Sequence, residues 1–241
     1  MTLTFGSNSK TAFLFPGQGA QVVGMGSELY EKSRVAKDVF GEVDEALGRP
    51  LSKILFEGPE DELRETINAQ PGIMAVSLAC VGAMNENLDK EDIPDPVLMA
   101  GHSLGEYTAL AAAGVLSVRD AALLVQKRGE LMQEACDSNP GTMASVLGLD
   151  EMTLEEIARE SGTLVSNINT EEQIVISGGK MAVARAMDMA SARGAKKVIP
   201  LRVGGAFHSG LMESAKAGLV EALNNVKFVE PNVPIIANCT A

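Results

Sequence analysis

Val97-Leu-Met-Ala100, Gly101-His-Ser-Leu-Gly105 and Glu106-Tyr-Thr-Ala-Leu-Ala-Ala-Ala-Gly114 form the stretch that decides the fold. The first four residues read as a short buried strand that stops at Gly101. The alanine- and leucine-rich run from Leu104 to Gly114 reads as a helix. The five residues between them match G-x-S-x-G, the pattern of a serine on a sharp strand-to-helix turn. Glycines two before and two after Ser103 let strand and helix pack closely there. The backbone N–H of Leu104 then lies at a helix N-terminus, where negative charge is stabilised. The competing reading is a serine that merely caps an ordinary helix. The flanking strand and helix favour the nucleophile, because that is the context the pattern requires.

Outward from this turn the chain alternates strand and helix. Thr11–Phe15 reads as a buried strand ending in the Pro16-Gly17 turn. Residues 27–47 and 59–67 read as helical, and Gln70-Pro71 leads into an apolar helix over 72–84. Residues 118–135 form a further helix. This alternation predicts an α/β fold with a parallel sheet. The middle segment predicts something else: strand 142–149, helix 153–161, strands 164–169 and 173–177, helix 181–193 and strand 197–203. The order β-α-β-β-α-β is ferredoxin-like. It predicts an α+β subdomain at 138–203 inserted into a large α/β domain built from 1–137 and 204–241. A last short strand is expected at 233–237.

The bulk properties narrow the function. The 241 residues, 46% of them hydrophobic, suffice for a sizeable core. A net charge of -12 excludes a general nucleic-acid binder, since phosphate neutralisation needs a basic surface. Any polyanion must meet a local basic patch, and Arg193, Lys196, Lys197 and Arg202 are its candidates. No apolar run approaches the roughly 20 residues of a membrane span. Met1–Lys10 lacks the apolar core of an export signal, although a leader removed earlier would leave no trace. Cys80, Cys136 and Cys239 are odd in number and widely spaced, and the histidines are His102 and His208. The set suits neither a disulfide framework nor a zinc site, and points to reduced thiols and a cytoplasmic setting.

A serine hydroxyl needs a base. His102 adjoins Ser103, and neighbours on such a turn point apart, so a structural role is expected for it. By elimination His208 is the base; Gly204-Gly205-Ala206 before it permit close backbone approach. Gly17 and Gly19 do not continue into G-x-G-x-x-G, so a dinucleotide loop is excluded.

At these residues the chain resembles the malonyl-CoA:acyl carrier protein transacylases of type II fatty acid synthesis. The resemblance rests on Phe15-Pro-Gly-Gln-Gly-Ala-Gln21, Gln70-Pro71, Gly101-His-Ser-Leu-Gly-Glu106, Arg128-Gly129 with Met132-Gln133, and Gly205-Ala-Phe-His208, all in the family's order. It implies an α/β-hydrolase-like large domain with a ferredoxin-like insertion. It implies that Ser103 is acylated, with His208 as base, and that Gln18 and Leu104 supply the oxyanion-hole N–H groups. Arg128 resembles the arginine that holds the free malonyl carboxylate. Gln70 and Asn167 resemble residues near the cleft, and Phe207 resembles the residue that selects malonyl over branched units. The implied substrate is malonyl-CoA, with no bound cofactor and no metal. The implied partners are acyl carrier protein and a coenzyme A thioester, with no membrane, for a monomer.

The chain departs from the family's pattern in two places. Thr170-Glu-Glu-Gln173 stands where the family often has Ser-Pro-Gly-Gln. Relatives continue past the position of Ala241 with a segment that orients the histidine, so the resemblance leads one to expect a base without that support. Rival readings are a serine hydrolase or thioesterase, a module cut from a polyketide synthase, and a catalytically incompetent fragment that only binds carrier protein. Arg128 speaks against the first, because a neutral acyl pocket has no use for a buried cation, and the short segment before Thr11 against the second.

Overall fold

The computed structural model describes residues 11–239; the expectation about Met1–Lys10 lies outside them. In chain order the elements are β1 (Thr11–Phe15), α1 (Ser27–Lys32), α2 (Arg34–Leu47), α3 (Leu51–Glu57), α4 (Glu60–Arg64), α5 (Thr66–Asn87), β2 (Pro96–Gly101), α6 (Gly105–Ala112) and α7 (Val118–Ser138). They continue as β3 (Gly141–Leu147), α8 (Glu151–Ser161), β4 (Leu164–Thr170), β5 (Gln173–Gly179), α9 (Lys180–Ala192), β6 (Lys197–Pro200), α10 (Glu213–Asn224) and β7 (Ile235–Ile236). The fold is α/β with one parallel and one antiparallel sheet. Contacts divide the chain into two compact units: one runs to Gly129 and resumes at Glu221, the other is Glu130–Val220.

In the first unit the sheet order is β1-β2-β7, all parallel. Phe15, Met99 and Leu104 are buried with Val39, Phe40 and Val43 of α2 and with Ile73, Met74 and Leu78 of α5. Tyr30, Phe40 and Phe56 add tilted and edge-on ring contacts at 5.2–6.0 Å. On the sheet, Leu14, Ala100 and Ile236 stand in register; Leu14 and Ile236 are exposed.

No helix is expected from the sequence at α3, and the helix expected over 59–67 ends at Arg64; two further helices differ from the expectation. The helix expected over 27–47 is broken at Ser33, whose extended backbone ends α1 and whose hydroxyl accepts from Ala36 N–H to cap α2. The helix expected from Gly72 starts at Thr66 and carries Pro71 inside it. Pro71 has no N–H to give the carbonyl four residues back, that of Ile67. Arg49 replaces it, donating through Nη2 to Ile67 O at 3.1 Å and through Nη1 to Asn68 Oδ1 at 2.6 Å. At 22 residues, α5 is long and apolar enough to span a bilayer by length and composition, which corrects the expectation that no such run exists; it is mostly buried in the core.

In the second unit the order β3-α8-β4-β5-α9-β6 builds an antiparallel sheet ordered β4-β5-β3-β6. Alternation along the strands serves two faces. Ala144, Val146, Ile174 and Ile176 pack against Leu154 and Ile157 of α8 and Val183, Ala186 and Ala190 of α9. Met143 and Val175 pack instead with Met132, Ala135, Cys136, Phe207 and Ala215. This second core draws the end of α7 and the stretch from Leu201 to Ala215 into the same compact unit. β6 stops at Pro200 rather than running to 203, and α10 is an addition to the expected elements.

The Arg49 bridge is testable. R49A leaves the Ile67 carbonyl without its replacement donor. Urea unfolding is expected to show a loss of about 1–3 kcal/mol, whereas R34A, on an exposed i,i+4 pair, is expected to change stability by less than about 1 kcal/mol.

Candidate active site

The serine turn is built from backbone contact. A Cβ on Gly101 would sit 1.9 Å from the Gly105 carbonyl carbon, and one on Gly105 would sit 2.3 Å from Phe15 O. His102 N–H donates to Phe15 O at 2.9 Å, carrying the β1–β2 pairing into the turn. Ser103 is then forced to φ 53, a left-handed conformation that costs a non-glycine residue about 1–3 kcal/mol. Its hydroxyl accepts from Arg128 Nη2 at 2.9 Å. Leu104 opens α6 and is fully buried.

Arg128, on α7, is 9% exposed. Its Nη1 donates to Gln70 Oε1 at 2.5 Å, and Gln70 on α5 is itself fully buried. The guanidinium lies 5.9 Å from the centre of the Tyr107 ring. Burial pushes Arg128 below the ordinary arginine range, and the charges of Tyr107 and Glu106 push it back up. Burial pushes the Tyr107 phenol up, Arg128 pulls it down, and Glu106 raises it. Among the described residues no carboxylate forms an ion pair with Arg128. A buried cation with only neutral hydrogen-bond partners is costly, and it is poised to take an anion beside Ser103. Gln18, in the loop after β1, reaches α5 through Nε2 to Thr66 Oγ1 at 3.3 Å.

The structure therefore brings Ser103, Leu104, Arg128, Gln70 and Gln18 into one unit. Sequence reasoning missed Asn238, just past β7. Its Oδ1 accepts from Ser103 N–H at 3.0 Å, and its Nδ2 donates to Gly101 O at 2.8 Å and to Glu106 Oε2 at 2.7 Å. An asparagine 135 residues from the serine gives no local signal.

The remaining candidates lie in the second unit. His208 is exposed on its loop and has φ 56; it and Ser103 are the non-glycine residues with positive φ among those described. Gly205 lies where a Cβ would come within 2.1 Å of Cys136 Sγ, and Ser209 Oγ ties the loop to Ala206 O at 2.6 Å. The Phe207 ring is buried in the unit's own small core. Asn167, on β4, accepts from Ser166 Oγ at 3.0 Å. Arg193 pairs with Glu156 and Glu160 at 2.9 Å each, and Lys196 with Glu172 at 3.1 Å. Lys197 and Arg202 are exposed. Among the described residues no group of three or more His, Cys, Asp or Glu is placed to hold a metal ion.

A serine on a strained strand-to-helix turn, touched by a buried and unneutralised guanidinium, has the chemistry of a nucleophile beside a seat for an anion. Comparison with known proteins gives the family. The acyl transferase domain matches residues 12–241. The malonyl CoA-acyl carrier protein transacylase of Bacillus subtilis is 47% identical over 238 residues, covering 97% of this chain and 74% of that protein. The one from Escherichia coli K12 is 39% identical over 231 residues, covering 94% and 74%. Among solved structures, the acyl-carrier-protein-S-malonyltransferase of Bartonella henselae has a TM-score of 0.89 at 46% identity, covering 95% and 74%. A malonyl-transacylase in complex with its type II PKS acyl-carrier protein has a TM-score of 0.89 at 38% identity, covering 95% and 74%. The chain belongs to the acyl transferase family, among relatives named malonyl CoA-acyl carrier protein transacylases.

The turn makes its own prediction. G105A drives a methyl into the Phe15 carbonyl and is expected to lower stability by about 1–3 kcal/mol and to abolish labelling of Ser103 by a serine-reactive fluorophosphonate. Wild-type labelling by G105A would contradict the close-packed turn.

Proposed function

We propose that the protein transfers a malonyl group from malonyl-CoA to the phosphopantetheine thiol of acyl carrier protein, through an ester on Ser103. The observation that carries this reading is the Arg128 guanidinium, buried and within 2.9 Å of Ser103 Oγ. Such a fork can hold a carboxylate through two parallel hydrogen bonds. Malonyl is an acyl group with a carboxylate at its far end. On loading, Arg128 exchanges the serine oxygen for that carboxylate.

In this proposal His208 accepts the Ser103 proton as Oγ bonds to the thioester carbon. The Leu104 and Gln18 backbone N–H groups hold the oxyanion. The carbon–sulfur bond breaks and coenzyme A leaves with the proton. The carrier thiol then attacks the ester; a new carbon–sulfur bond forms, the carbon–oxygen bond breaks, and Ser103 regains its hydrogen. Exchange between a thioester and a hydroxyl needs a base and oxyanion donors, and no bound cofactor or metal.

Three further elements belong to the proposal. The serine turn supports reading the parallel-sheet part as hydrolase-like, and the β-α-β-β-α-β order supports a ferredoxin-like insertion at 138–203 within a domain formed by 1–137 and 204–241. Phe207 and Asn167 are assigned to substrate on the resemblance alone. Carrier docking falls to Lys197 and Arg202, since Arg193 and Lys196 are engaged by glutamates. The free cysteines Cys80, Cys136 and Cys239 support a reducing, cytoplasm-like compartment.

The test is direct. After incubation with labelled malonyl-CoA and digestion, mass spectrometry should find malonyl on the peptide containing Ser103, and none in S103A. An adduct elsewhere, or none, would falsify the reading. H208A should slow loading by about 10²–10⁴-fold. R128A should slow malonyl loading by roughly 10²-fold while sparing acetyl loading; equal loss of both removes the carboxylate clamp.

A further inference from the structure

The backbone leaves the parallel sheet at the end of β2. The last ladder pair between β2 and β7 is Ala100 with Ile236. Among the described residues no later ladder pair joins β2 to β7, and the strained φ of Ser103 must be held. Asn238 stands two residues past β7. Its side-chain amide accepts from Ser103 N–H at 3.0 Å and donates to Gly101 O at 2.8 Å, the two groups that flank His102. A carboxamide carries the same donor and acceptor as a peptide group. Here it takes the place of the missing strand residue and continues the ladder across the turn. Its orientation follows from chemistry: Gly101 O can only accept and Ser103 N–H can only donate. The second Nδ2 hydrogen goes to Glu106 Oε2 at 2.7 Å, in the first turn of α6. One side chain thus binds the strand end, the serine's own amide and the helix start.

We propose that Asn238 is a positioning residue for acyl transfer. By fixing these three points it sets where Ser103 Oγ stands relative to the scissile carbonyl. By occupying the Ser103 N–H it also leaves the next amide, that of Leu104, as the turn's donor to an oxyanion. The inference rests on Ser103 being the acylated residue.

The distinguishing consequence lies in N238D. An aspartate keeps an acceptor for Ser103 N–H but has no hydrogen for Gly101 O or Glu106 while ionised. It also places a carboxylate beside that of Glu106. Two carboxylates sharing a site bind a proton more readily than either alone. Protonation restores the donor, so the rate of N238D relative to wild type should climb as pH falls from 7 towards 5.

The experiment measures malonyl loading of Ser103 by quench and mass spectrometry, with malonyl-CoA as probe, on the full chain. N238A is expected to load roughly ten- to a hundredfold more slowly, with the malonyl-CoA concentration for half-maximal rate changed less than twofold. N238D is expected to be slow at pH 7, with a rate relative to wild type that rises at least fivefold by pH 5. The double variant N238D/E106Q, which gives the introduced carboxylate a hydrogen-bonding neighbour in place of a charge, should recover part of the loss at pH 7. Should N238A fail to fold, as judged by its thermal melt, the pH ratio of N238D decides. Loading by N238A within twofold of wild type, or an N238D ratio flat with pH, overturns the proposal. Wild-type protein that carries no adduct on Ser103 instead overturns the reading on which the proposal rests.

Discussion

Contact between the backbones of Gly101 and Gly105, and of Gly105 and Phe15, governs the parallel-sheet unit. The gaps left for side chains are 1.9 and 2.3 Å, shorter than any van der Waals contact, so strand β2 and helix α6 can meet only as bare main chain. That approach makes the turn abrupt. An abrupt turn places Ser103 in the left-handed region and sets its hydroxyl off the sheet with the helix N-terminus behind it. The strain is tolerated because the surroundings over-determine it: His102 N–H on Phe15 O, Asn238 on both flanks, and a fully buried Leu104 in the core. None of these contacts could be loosened without letting the serine relax.

The second constraint is the charge that this turn faces. Removing a guanidinium from water costs several kcal/mol even after relaxation. Gln70 and Ser103 give back part of that through hydrogen bonds, and Tyr107 adds a ring contact. A resident carboxylate in place of Gln70 would stabilise the free protein more, but it would also neutralise the cation. The arrangement suits a site whose counter-charge arrives with the substrate. On the proposed reading, Gln70 holds the fork in orientation without competing for its charge.

The elbow was legible because its pattern is local and its context is periodic. Strand, glycine, serine, glycine and helix lie within one stretch of sequence, and the hydrophobic period changes across it. The antiparallel sheet was legible for the same reason, since its central strands β3 and β5 alternate between two buried faces. What escaped the sequence is what depends on distance along the chain. Pro71 reads as a helix boundary, and only Arg49, through its bond to Ile67 O, lets α5 run through it. Ser33 reads as one polar residue within a helical period, and its capping role appears only when the backbone turns extended. Asn238 sits after two residues of strand, with nothing nearby in sequence to mark it. The basic cluster at 193–202 was legible as composition, but its engagement by Glu156, Glu160 and Glu172 was not.

That last point bears on how an acidic protein handles anionic partners. With a net charge of -12, the long-range field repels a malonyl thioester, and at physiological ionic strength it is screened beyond about 8 Å. Two of the four clustered cations are paired with surface glutamates, pairs worth at most about 1 kcal/mol each yet enough to quench local attraction. Steering is therefore a weak source of selectivity for this surface. Selectivity has to come from the desolvated interior, where the same unit charge acts through a much lower effective dielectric. On the proposed reading, Arg128 discriminates between acyl groups only after the thioester has entered and shed water. The difference between malonyl and acetyl should then appear in the loading step rather than in the encounter, and should depend little on added salt.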